Sequence, residues 1–220
     1  MRRITFSPGE FYHIYNRGTE KRNIFVSKND YRRFILLLYH CNNTSNVILR
    51  LDKQLGPNSR EEILVDICAY CLMPNHFHLL IREKTEGGIS RFMQKLATGY
   101  TMYFNKRHDR NGVLFQGKFK ATHVDKDEYL KYLVAYIHLN PVKLFDSKWK
   151  ENDIFDRKRA KEYLMQYYQS SYLDCIGLKR PENVILSKNI LPAYFTSGMD
   201  FKDMVTNWLG YKSLVQGPTF

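Results

Sequence analysis

At 220 residues, with 44% hydrophobic and 15% aromatic side chains, the chain can fill the core of one ordinary domain carrying an extension, so disorder is not its default state. Its 34 Lys and Arg against 22 Asp and Glu give a formal charge of +12, an excess that concentrates polyanions and makes nucleic acid the first partner to consider. The N-terminal stretch lacks the apolar core of a signal peptide, and no run approaches the length of a membrane span, which argues against a membrane protein and for a cytoplasmic one.

In chain order, Phe11 to Asn16 reads as a short aromatic and β-branched strand, closed by Arg17-Gly18, where glycine permits a turn. Ser27 or Asn29 can cap a helix whose Tyr31, Phe34, Ile35, Leu38 and Tyr39 recur at helical spacing, ending near Asn42-Asn43. Val47 to Leu51 predicts a strand, Gln54 to Glu61 a turn or hairpin tip, and Ile63 to Leu72 a further strand. Pro74-Asn75 interrupts the pattern before His76 to Ile81 resumes it. Gly87-Gly88 then leads into a helix with Ile89, Phe92, Met93, Leu96, Tyr100, Met102 and Tyr103 on or near one stripe. Val113 to Val124 reads as a strand or extended hairpin arm, and Asp125 caps a helix from Asp127 to about Leu139, stopped by Pro141. The order β-α-β-β-α-β, then α, is that of a split βαβ, ferredoxin-like α+β fold: an antiparallel sheet with helices on one face. It predicts a core over residues 1–145 and a mostly helical C-terminal extension over 146–220, with Trp149 to Tyr172 and Phe201 to Leu209 helical.

Four cysteines include one C-x-x-C pair, Cys68 and Cys71, inside a strand-like run. Alternation predicts that the two sulfurs point to opposite faces, so they read as buried thiols in a reduced compartment. From Arg91 to Lys120, seven basic residues stand against one acid, a candidate phosphate track.

The stretch Met73-Pro-Asn-His-Phe-His-Leu-Leu80 sets two histidines two residues apart on a strand. Period two puts both imidazoles on one face, where they can chelate a divalent ion, while Phe77 and Leu79 face the core. The bland alternative is a solvated face. On the helix, Tyr136 and Asn140 are one turn apart and project together. A phenol attacks poorly at neutral pH unless the developing charge is stabilised, which a nearby metal does by polarising the phosphate under attack. Alternatively, Tyr136 is a core residue and Asn140 a helix end before proline.

The phrases Tyr12-His-Ile-Tyr-Asn-Arg-Gly18, Met73 to Leu80, Gly112-Val-Leu-Phe-Gln-Gly-Lys-Phe-Lys120 and Tyr136-Ile-His-Leu-Asn-Pro-Val142, in this order and spacing, resemble the successive signatures of IS200-like transposases. More narrowly they are similar to the REP-associated tyrosine transposases. The resemblance implies a nuclease core that recognises a DNA hairpin and cleaves flanking single strand. Tyr136 would be the nucleophile, forming a 5′-phosphotyrosine, and His76, His78 and Asn140 would hold Mg2+ or Mn2+. His138, two residues from Tyr136 and hence on a different helix face, is given no ligand role. The resemblance leaves monomer or homodimer open, because some relatives reach with the tyrosine helix into a partner's site.

Around this centre, Tyr12, Tyr15, Asn16 and Arg17 are candidates for contacts with unpaired bases. Arg107, Arg110, Lys118 and Lys120 are candidates for contacts with phosphates. Their alternative is a packed core and a solvated basic face. Two rival functions stand beside this: a catalytically silent DNA- or RNA-binding module on the same fold, and a metal-dependent phosphodiesterase using activated water without a covalent intermediate.

Overall fold

The structure is a computed structural model that describes residues 4–45, 55, 62–147, 149, 156–195 and 198–210. Strands β1 (Phe11–Arg17), β2 (Val65–Met73), β3 (His76–Glu83) and β4 (Lys120–Val124) form an antiparallel sheet in the order β2-β3-β1-β4. With helices α1 (Lys28–His40) and α2 (Gly88–Arg107) in the two crossovers, this is the expected ferredoxin-like topology.

Helices α1 and α2 share one face. Phe34, Leu37, Leu38, Phe92, Leu96 and Tyr100 pack on Ile14, Tyr70, Leu72, Phe77, Leu79 and Ile81 of the sheet. Helix α1 starts at Ser27, whose backbone N–H donates to Asp30 at 2.8 Å, the reaching-back half of a capping box. The same buried carboxylate receives His108 at 3.1 Å, which ties the start of α1 to the end of α2.

The other face is covered as well. Helix α3 (Asp127–Leu139) lies on it, backed by three helices of the extension: α4 (Arg157–Gln166), α5 (Tyr172–Cys175) and α6 (Gly198–Asn207). Leu133, Ile137, Tyr172, Phe201 and Val205 join Cys71, Met73 and Leu80 in a second core, so β2 is buried throughout. Ser171 accepts the Tyr70 backbone N–H at 2.9 Å, and the Tyr167 hydroxyl donates to the Leu72 carbonyl at 2.7 Å. Arg180, paired with fully buried Asp174, donates to the Ser170 carbonyl at 3.0 Å.

Several local expectations differ from the structure. Gly18 has an ordinary negative φ; glycine is needed there because a Cβ would lie 2.3 Å from the Arg22 carbonyl oxygen. Strand β4 begins only at Lys120, since Gly117 takes a left-handed φ of +69° that breaks extended pairing after an isolated bridge from Phe115 to Gly18. Lys126, not Asp125, occupies the α3 N-cap, without a side-chain cap. A β-bulge at Cys68 shifts the register between Ile67 and Ala69, so Cys68 and Cys71 fall in the same core cluster and not on opposite faces. The expected strand Val47 to Leu51 and, apart from Leu55, the turn Gln54 to Glu61 lie outside the described residues, as does most of the chain from Trp149 to Asp156. No helix among the described residues is long and apolar enough to cross a membrane.

Candidate active site

The α3-facing side of the sheet gathers the candidate site residues. Directly opposed residues of antiparallel strands share a face, so the register aligns Lys120, Tyr15, His78 and Cys71 in one row and Arg17, His76 and Met73 in the next. On the other side of His78, the row of Thr122, His13 and Leu80 completes the patch. His13 and His78 are fully buried, with His13 Nε2 2.9 Å from His78 Nδ1 and the rings stacked at 5.1 Å. His76 Nδ1 lies 2.6 Å from Asn75 Oδ1, and its ring meets His78 edge-on at 5.0 Å. The histidine face is therefore not solvated; it is roofed by α3.

Tyr136 supplies the roof. Its ring lies 5.3 Å from His78 and 6.1 Å from His13, both edge-on, and it stacks on Tyr132 at 5.9 Å. One turn on, Asn140 ends α3, fully buried. Its amide nitrogen donates to the Tyr136 carbonyl at 2.9 Å, which leaves Oδ1 as the atom the carboxamide turns elsewhere; that oxygen is buried without a hydrogen-bond partner of good geometry. The carboxamide is nevertheless close enough to favour the Tyr136 phenolate. Lys143, in the 3-10 turn that continues the helix from Asn140 to Leu144, places Nζ 5.8 Å from the centre of the Tyr136 ring.

Burial sets the protonation of the site. It pushes the Tyr136 phenol well above its ordinary value, helped by Tyr132 and opposed by Asn140. Burial, with the nearby charges of Lys143 and Arg17, lowers His76 to about 4, and burial alone lowers His13 to about 3. Both imidazoles are neutral at pH 7. Burial also lowers the Lys143 ammonium.

The donor set fits a divalent metal. Among the described residues there is no cluster of three His, Cys, Asp or Glu that could hold one. A set of two imidazoles and one carbonyl oxygen, from His76, His78 and Asn140, uses an amide as its third member. Each histidine is held through Nδ1, so Nε2 is the lone pair each offers. A ligating histidine fixed through its other nitrogen is the usual arrangement around metals. Imidazole with carbonyl oxygen suits Mn2+ at least as well as Mg2+.

The remaining sequence candidates are divided between the two sheet faces. Tyr15 and Arg17 share the histidine face, with Tyr15 packed on His13 at 4.8 Å and Arg17 bonded to Gln116. Tyr12 and Asn16 point to the other face by strand alternation. Tyr12 is 2% exposed beneath Phe6, and Asn16 donates to the Gly117 carbonyl at 3.2 Å. Asn16 and Lys118 line a cavity of about 540 Å³ floored by Phe34, Phe77 and Phe115. Lys120 is exposed on β4, while Arg107 faces Asp30 at 3.8 Å and Arg110 lies over Phe104. The buried His138 donates from Nδ1 to the Val134 carbonyl at 2.8 Å and sets Nε2 2.8 Å from Ser171 Oγ, turned away from the site. Sequence reading passed over His13 and Lys143. The alternation of His13 with Tyr15 on β1 was the available signal for the first, and nothing local marked the second.

The family model of IS200-like transposases matches residues 12–140, more than half of the chain. No curated protein matches it. Among solved structures, that of a REP-associated tyrosine transposase bound to a REP hairpin is similar, with 14% identity over 83% of this chain and 89% of that one and a TM-score of 0.53. At that identity the likeness is one of fold.

Proposed function

This chain belongs to the IS200-like transposase family, and from that premise we propose that it is a cytoplasmic enzyme that cuts single-stranded DNA beside a hairpin repeat with Tyr136 as nucleophile. The observation that carries the reading is the convergence of Tyr136, from α3, on His78 and His13, from two strands far away in sequence. A core helix has no need to set a phenol over paired imidazoles. The structurally similar REP-associated transposase has a REP hairpin bound, and a hairpin repeat is the DNA proposed here.

In the proposed reaction the Tyr136 oxygen forms a bond to the scissile phosphorus, the bond from phosphorus to the 3′ oxygen breaks, and the 5′ end stays on the protein. The phenolic proton leaves to solvent, and the departing 3′ oxygen takes one up. His76, His78 and Asn140 would hold a Mg2+ or Mn2+, which would polarise the phosphate and stabilise charge on the leaving oxygen. The chain itself keeps His76 neutral by burial and fixes His78 through His13. It holds the phenol in place through the packing of α3. Because burial raises the phenol, its proton departs only as positive charge gathers at the site. Attack by a second 3′-OH on the phosphotyrosine reverses the step and rejoins strands.

We assign the nuclease to residues 1–145 and treat 146–220 as an extension that seats the nucleophile helix. Tyr136 lies over its own chain's histidines, so the proposed active unit is a monomer cutting in cis. The test mixes protein, Mn2+ and a labelled single-stranded oligonucleotide carrying the hairpin repeat beside its gene, and reads covalent adduct on a denaturing gel. An adduct lost in Tyr136→Phe and in the His76→Ala, His78→Ala double variant supports the reading. Cleavage without adduct points to activated water, and binding without cleavage to a silent module.

A further inference from the structure

Lys143 stands at the junction of the nucleophile and the histidine pair. Its Nζ lies over the Tyr136 ring at 5.8 Å, and its charge, with that of Arg17, is felt at His76. The two cations come from separate elements: Arg17 is paired with His76 across β1 and β3, and Lys143 is in the turn that carries on from α3. Lys143 is half-buried, and no ion pair among the described residues involves it. A cation held partly out of water without a carboxylate is a standing cost to the fold. Two half-buried arginines show the alternative, a carboxylate partner: Arg180 has Asp174, and Arg82 has Asp66 at 2.8 Å. Lys143 has no such partner among the described residues, and its ammonium lies over the ring of the proposed nucleophile.

We propose that Lys143 binds the scissile phosphate, holding a non-bridging oxygen beside Tyr136 and offsetting the negative charge that the phenolic oxygen brings to the site. Lys143 keeps its proton throughout and makes or breaks no covalent bond. Pro141 is the second residue of the 3-10 turn that begins at Asn140, and that turn brings Lys143 over the ring three residues beyond the proposed metal ligand. Arg17, paired with His76 across β1 and β3, brings a second cation near the same histidine from a separate element.

The inference rests on the reading of Tyr136 as nucleophile, and two measurements on the full chain keep the two apart. The first is the single-turnover rate of adduct formation with Mn2+ and the hairpin oligonucleotide. The second is the salt dependence of binding to the same oligonucleotide. Lys143→Met is expected to slow adduct formation about 10²- to 10³-fold, the usual effect of removing one group that stabilises charge in the transition state. Its slope of log affinity against log salt is expected to be shallower by about 0.7, one phosphate contact to a single strand. Thermal midpoint should be unchanged or raised, and Mn2+ affinity not weakened, because an uncompensated cation has gone. Lys143→Arg should restore most of the rate. A Lys143→Met protein with wild-type rate and wild-type slope overturns the proposal, and so does a rate lost only in step with Mn2+ affinity or stability. If the wild type forms no adduct, or Tyr136→Phe still forms one, the nucleophile reading fails, and the salt slope alone then decides whether Lys143 meets a phosphate.

Discussion

Replacing His13 by Phe separates the fold from the proposed metal site. Phe keeps the ring that packs on Tyr15 at 4.8 Å and on Tyr136 at 6.1 Å, and it removes the 2.9 Å hydrogen bond to His78. In the tautomer that offers Nε2 to a metal, His78 Nδ1 carries the proton and donates it to His13 Nε2. Losing that acceptor leaves a buried donor unsatisfied, at about 1–3 kcal/mol. His13 Nδ1, however, is itself buried without a hydrogen-bond partner, so deleting it returns a similar amount. The net change in stability is therefore within about 1 kcal/mol, or roughly 2–4 °C in thermal midpoint for a chain of this size. Metal affinity has no such compensation. With the His78 ring no longer fixed, Mn2+ binding should weaken about 10- to 100-fold. Calorimetry without metal and Mn2+ titration followed by electron paramagnetic resonance measure the two quantities. Unchanged Mn2+ affinity would refute the orienting role of His13, as would a midpoint lowered by more than about 12 °C, which marks general disruption.

His138 gives a pH signature. Burial depresses it to about 4, against an unfolded value near 6.5, so below pH 6.5 the unfolded chain takes up a proton that the native one refuses. Stability is complete above that pH and falls as pH drops towards 4; in His138→Gln the slope of unfolding free energy against pH should be smaller by about one proton, measured by urea unfolding across the window. The proposed cis arrangement is tested by mixing variants. Mixing Tyr136→Phe with the His76→Ala, His78→Ala variant should restore no adduct, whereas recovery of adduct on mixing would mean that the helix serves a partner's site.

The local patterns that sequence carries well were those with a period. His76 and His78 on one face, the α1 stripe of Phe34 and Leu38, and the pairing of Tyr136 with Asn140 each follow from a repeat of two or of about three and a half residues. The same period, applied to β1, places Tyr12 and Asn16 opposite Tyr15 and Arg17; grouping the four by proximity in sequence ignored it. His13 escaped because its role depends on which strand lies beside β1, and strand order is a long-range property. Lys143 escaped because it follows a proline, where helical periodicity no longer says which way a side chain returns. Gly117 ended a strand that composition alone extended to Val113, since a left-handed φ leaves no hydrophobic trace. The reading of the central stretch from Val47 to Glu61 meets almost no described residue.

The second core, closed by Phe201, Val205 and Leu209, bears on the order in which the molecule comes into being. The ribosome delivers the sheet, the paired histidines and α3 well before the helices that clamp α3 from behind. At about 5–20 residues per second, the chain from Leu139 to Leu209 takes roughly 4–14 s to emerge. For that interval the tyrosine helix has a sheet to lie on but no backing, with neither Ser171 to meet His138 nor Phe201 to pack against it. The proposed cutting surface thus sets only after the helices of the extension have emerged.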